Sequence, residues 1–159
     1  MNNHPQSVLF TRSGDQIEIH LNREERSLTK QLAQHLRALL EQDSHPHLRR
    51  LYPTAYPDNT KRDAEYINLV HNDLRETRLK AVNTVETTSE NNILQPDELD
   101  HWITVISSLR LIIGTQLDVS ETEQVDPERP NSMEYSIFLW LGLFLENAVE
   151  VSSSFLINN

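Results

Sequence analysis

Residues 132–152, "SMEYSIFLWLGLFLENAVEVS", are apolar on almost every side of a helical wheel, and nothing else in the chain constrains its fold as strongly. A helix of that kind has to be enclosed by other elements. Its densest run, "IFLWLGLFL" (137–145), is half of the ~18 residues that a bilayer span requires. The spacing therefore predicts the central helix of a water-facing bundle, covering 132–152. An excess of apolar surface on it would instead point to a homodimer interface.

The partners for that helix lie upstream. Leu28, Leu32, Leu36, Leu39 and Leu40 recur at helical spacing and predict an amphipathic helix over 23–42, with Asn22 and Glu25 as its capping box. A second helix over 60–88 turns Ile67, Val70, Leu74, Ala81, Val82 and Val85 inward, capped by Asp58 or Asn59. The proline and acids of "QPDELDHW" suit a helix start, where orphan N–H groups favour negative charge. Leu99, Trp102, Ile103, Ile106, Leu109 and Ile113 carry that helix to Gly114, read as a left-handed stop. "VLFTR" and "QIEIHL" alternate around "SGD", a β-hairpin signal. "DSHPH", "YPTAYPDN" and the acidic "DVSETEQVDPERPNS" are breaks, with a short helical turn expected through "HLRRL". The fold class is mainly α: a bundle of about four main helices preceded by a short N-terminal β-hairpin. One domain is expected over 1–159, with the hairpin in 7–21 and the bundle in 22–152.

Charge narrows the function. The net charge is −10, unevenly spread. Residues 1–85 hold 12 Lys and Arg against 11 Asp and Glu, and residues 86–159 hold 2 against 13. Grip on nucleic acid needs clustered positive charge, so direct nucleic-acid binding is not expected. The acidic loop, with Asp118, Glu121 and Glu123 at its head, either faces a basic protein partner or keeps the surface solvated. Cysteine is absent, which removes disulfides, thiol nucleophiles and a thiol redox switch from the chain. The start of the chain carries no secretory pattern, and the expected address is the cytoplasm, with no membrane partner.

Candidate chemistry is sparse. Glu98 and His101 form an E-x-x-H pair, but di-iron bundles use that pair twice, with further glutamates, and no second copy exists. His45 and His47 flank a proline in a loop, a weak metal signal. No serine sits in G-x-S-x-G, and Gly14, Gly114 and Gly142 are too far apart for a phosphate loop. No catalytic residue, metal or cofactor is expected. Arg110 is the anomaly, a charge inside the apolar run from Val105 to Ile113. On a wheel it lies about 20° from Ile103, on the apolar side. An unpaired buried guanidinium costs several kcal/mol, so a carboxylate of helix 60–88, best Asp73, with Glu76 or Glu65 behind it, is expected to meet it. The other reading is an anion- or partner-binding pocket. Tyr52 and Tyr56 in "LYPTAYP" either pack the loop onto the bundle or form a recognition face.

"HLRRLYPTAYPDNTKRDAEYINLVHNDL", "WITVISSLRLIIGTQLDVSE" and "YSIFLWLGLFLENAV" resemble, in this order, three signatures of the AosR-like oxidative-stress regulators. These are small actinobacterial proteins, long a domain of unknown function, whose genes commonly lie beside that of the ClpS adaptor. The resemblance covers nearly the whole chain and is most specific at Leu51 to Tyr56 and Leu109 to Thr115. It implies a non-enzymatic regulator acting through protein contacts in transcription control, with a sigma factor or polymerase component as partner. Gene neighbourhood alone suggests the alternative, an adaptor of Clp proteolysis. A metal-binding or enzymatic bundle is the third reading. Redox sensing in that family is attributed to a cysteine pair that this chain lacks. Trp102 and Arg110 match the family pattern.

Overall fold

The hairpin turn is dictated by one residue. A computed structural model describes residues 8–42, Leu51, 60–117 and 132–157, with 60–70 and 132 given by backbone alone. Strands β1 (Phe10–Ser13) and β2 (Gln16–Ile19) pair antiparallel with Ser13 opposite Gln16. The turn is therefore Gly14-Asp15, and Gly14 has φ of 63°, the left-handed value that tight hairpin turns need and glycine adopts freely. A third strand, β3 (Ile93–Leu94), adds to the other edge of β2. Its two residues are too few to show an alternation in the sequence.

The first helix, α1 (Arg23–Gln42), begins with the expected capping box. Glu25 N–H donates to Asn22 Oδ1 at 2.8 Å, and Asn22 N–H donates to Glu25 Oε1 at 3.0 Å. Its apolar stripe buries Ala33, Leu36, Leu39 and Leu40. The second, α2 (Thr60–Thr88), presents Ala81, Val82 and Val85 to the core. No base occupies the last turn of α1, so Arg75 of α2 donates to the Leu40 carbonyl at 2.9 Å. That supplies a partner to one of the carbonyls a helix end leaves unpaired.

Two boundaries differ from the sequence expectation. Helix α3 (Pro96–Leu117) runs straight through Gly114, which is buried rather than a stop. Glycine costs a helix interior about 1 kcal/mol, and burial of Ile112, Ile113, Thr115 and Leu117 outweighs it. Helix α4 (Ser132–Ile157) extends past 152 because the hairpin holds its last turn. Arg12 Nη1 donates to the Ser154 carbonyl at 2.7 Å, and its Cζ lies 4.0 Å from the Phe155 ring centroid.

The centre of the bundle belongs to α3, not α4. Leu99, Trp102, Val105, Ile106, Leu109 and Ile112 are fully buried, and α3 touches α1, α2, α4 and β2. Helix α4 packs on it through Leu141, Phe144 and Ala148, but leaves Met133, Leu139, Leu143 and Val149 exposed. The all-apolar wheel of α4 thus reflects two different faces, one in the core and one outside it. Phe10 meets Trp102 edge-on at 5.8 Å and Phe144 at 5.2 Å, joining the sheet to both helices. One hydrophobic cluster runs from Leu9 to Val151.

Candidate interaction surface

Arg110 is exposed, and its contacts are with α4 rather than α2. Its Cζ lies 4.4 Å from the Phe138 ring centroid. Its Nε lies 3.2 Å from where a Cβ on Gly142 would stand, so the missing side chain lets the guanidinium lie across the helix. Neither ion pair found among the described residues involves Arg110; they are His20–Glu18 and Arg37–Glu86. The expected pairing with Asp73 is overturned: Asp73 is exposed on α2, and Arg110 faces the other neighbour. The reason is geometric. Arg110 sits about 80° round the wheel from Trp102, and its neighbour Ile103 is only partly buried, so this is the edge of the stripe. From there a long side chain keeps its stem on apolar surface and its charge in water.

The charge that does lie inside is Arg26 on α1, 9% exposed. Its Nε donates to the Leu21 carbonyl at 2.9 Å, and Nη1 donates to the carbonyls of Ser89 at 3.0 Å and Asn91 at 2.5 Å. Nη2 reaches the Ile19 carbonyl at 3.4 Å and Asn92 Oδ1 at 3.3 Å. The guanidinium fork thus ties the end of β2, the start of α1 and the α2–β3 turn together without a carboxylate. The sequence held a signal for it: Arg26 shares the face of Thr29, Ala33, Leu36 and Leu40, all buried.

Other candidates resolve as structure. Trp102 is fully buried, and its Nε1–H donates to Thr88 Oγ1 at 2.8 Å. Glu98 and His101 do not converge. Glu98 Oε1 accepts from the Gln95 N–H at 2.8 Å, whereas His101 Nδ1 lies 2.6 Å from Thr84 Oγ1 on α2. Among the described residues no group of three or more potential metal ligands assembles. Tyr52, Tyr56, His45, His47, Asp118, Glu121 and Glu123 lie outside the described residues, as does most of "HLRRL"; its last residue, Leu51, is buried.

What remains is the outer face of α4. Leu139 and Leu143, 51% and 53% exposed, head a ridge continued by Glu146 and Glu150. A groove of about 670 Å³ runs along one side, between Arg110, Leu139, Gly142 and Val149. A second, of about 300 Å³, runs along the other, between Val8, Glu25, Trp140 and Glu150. Both grooves set apolar side chains beside charge, Arg110 in the first and Glu25 and Glu150 in the second. Among the described residues no helix is long and apolar enough to cross a membrane.

A family model described as a domain of unknown function, DUF2017, matches residues 4–152. The chain belongs to the DUF2017 family. No curated protein and no solved structure matches it. The DUF2017 match spans the hairpin, the four helices and all but the last residues of α4, so both the Arg26 tie and the Arg110 shelf lie within the family's domain.

Proposed function

We propose that this DUF2017 chain is a non-enzymatic cytoplasmic regulator that works by contact with another protein in transcription control, its partner a sigma factor or polymerase component. The observation that carries the contact reading is the outer face of α4, where Leu139, Leu143 and Val149 stand exposed in one patch beside a guanidinium anchored on Phe138 and Gly142. Exposed apolar patches rimmed by polar groups mark interaction sites, and arginine is enriched at the energetic centres of interfaces. The choice of transcription machinery rests on the resemblance to the AosR-like regulators. With no cysteine in the chain, the signal is not a thiol switch within it.

Affinity capture of the tagged chain from its native lysate, beside a Leu143→Lys control, tests this. Sigma and polymerase subunits enriched by the parent are the expected result. Clp subunits in their place would move the assignment to a proteolytic adaptor, and neither set would overturn it.

A further inference from the structure

Five of the exposed residues of α4 share one face of the helix. Leu139, Leu143, Glu146, Glu150 and Ile157 recur at spacings of four, three, four and seven, so they form one straight seam. At 1.5 Å per residue the seam is about 27 Å long. All five are exposed, and Ile157 is 80% exposed. A 3-4 ridge is the complement of another helix.

The flanks say which helix. On one side the groove is walled by Glu25, Glu146 and Glu150, with Trp140 and Val8 as apolar lining. On the other side stands Arg110, the one Lys or Arg in the described part of residues 86–159, while Glu146 on the ridge lines both grooves. A second copy of this chain is a poor occupant. It would bring Glu146 and Glu150 towards carboxylates of the same seam, with one arginine per chain to offset them, and like charges facing each other are disfavoured. A basic helix has the opposite balance.

We propose, building on the reading of this chain as a protein-contact regulator, that the α4 seam receives an amphipathic helix of its partner. The partner's apolar stripe packs on Leu139 and Leu143. Its lysines or arginines meet Glu25, Glu146 and Glu150, in the groove that Trp140 also lines. A carboxylate on its opposite flank meets Arg110. The asymmetry of the outer walls, Glu25 and Glu150 on one side against Arg110 on the other, fixes the direction in which the helix lies, because reversal sets base against base and acid against acid.

The probes are fluorescent peptides of about 21 residues (three heptads): one with a leucine stripe, lysines along one flank and glutamates along the other, one with glutamates along both flanks, and a scramble of the first. Anisotropy against the full-length chain should show the lysine peptide binding at least about tenfold more tightly than the other two. Leu143→Lys should weaken it about tenfold, with Leu139→Ser as a second, milder variant. Glu146→Gln combined with Glu150→Gln should weaken it and flatten its salt dependence, since screening acts on exposed charges. Equal binding of the scramble, or unchanged binding to both leucine variants, overturns the seam. So does a parent dimer in sedimentation that Leu143→Lys dissociates, which assigns the face to a second copy. Capture of polymerase subunits equally by parent and Leu143→Lys overturns the seam but leaves the regulatory reading standing. Selective peptide binding with no transcription subunit captured does the reverse.

Discussion

Asn147 on α4 serves as a fourth strand for Phe10. Its Oδ1 accepts from the Phe10 N–H at 2.8 Å, and its Nδ2 donates to the Phe10 carbonyl at 3.3 Å. The same oxygen accepts from the Leu9 N–H at 3.0 Å. Strand β1 is an edge of the three-stranded sheet, and an open edge exposes unpaired backbone groups to other chains. One amide on a helix closes it at the point where the aromatic cluster begins.

Asn147→Ala should therefore cost about 1–3 kcal/mol, since partly buried backbone groups lose their partner. Hydrogen exchange checks the location. The Phe10 amide should lose protection while amides of α2 keep theirs, and uniform loss across the chain would refute the edge role.

Arg26→Met should destabilise the fold by about 3 kcal/mol or more, because several buried carbonyls are stranded together at about 1–3 kcal/mol each. Arg26→Lys should recover less than half, since an ammonium lacks the planar fork that reaches Leu21, Ser89 and Asn91 at once. Urea unfolding of both variants measures this, and a loss under about 1 kcal/mol for the methionine variant would count against it.

Arg110→Met, by contrast, should cost no more than about 1 kcal/mol, the scale of a cation–π contact at an exposed site. Asp73→Asn should be neutral within about 0.5 kcal/mol, as expected of an exposed residue away from special features. A double-mutant cycle between the two positions should give no coupling beyond about 0.3–0.5 kcal/mol, the scatter of independent sites. Measurable coupling would restore the pairing that the geometry denies.

Ile106→Ala on α3 and Leu139→Ala on α4 separate the core from the seam. Ile106 is fully buried, and its truncation should cost about 2–5 kcal/mol. Leu139, 51% exposed, should change stability by less than about 1 kcal/mol. Thermal midpoints of the pair decide, and equal losses would mean that the outer face of α4 is covered.

Thr88→Val should cost about 1–3 kcal/mol despite its nearly equal volume, because the buried Trp102 indole N–H loses its acceptor. Trp102→Phe in the Thr88→Val background should add less than it does alone, and near-ultraviolet dichroism of the two single variants and the double variant follows the ring.

Much of this fold was legible as period and punctuation. The 3.6-residue recurrence of leucines in α1, the Asn22–Glu25 box and the Gly14 turn are local facts, and local hydrogen bonding and sterics enforce them wherever the segment lies. Helix ends were less legible, since α3 continues through Gly114 and α4 past 152 on contacts made by residues distant in sequence. The candidate site was legible as two oddities, an arginine in an apolar run and a helix apolar on almost every side.

The sequence by itself determined which segments are helices and that Arg110 lies on or beside an apolar stripe, while Arg26, on the stripe of α1, drew no expectation. It could not say which of the two is inside, because a wheel position gives a direction from the helix axis and not what stands there. The tertiary structure decided it. The carbonyls of Ser89 and Asn91, more than sixty residues from Arg26, converge on its guanidinium and make burial tolerable. At Arg110 the side-chain-free surface of Gly142 and the ring of Phe138 give a stem somewhere to lie while the charge stays in water. The same packing turned one face of an all-apolar helix outward, because α3 has only one side on which α4 rests.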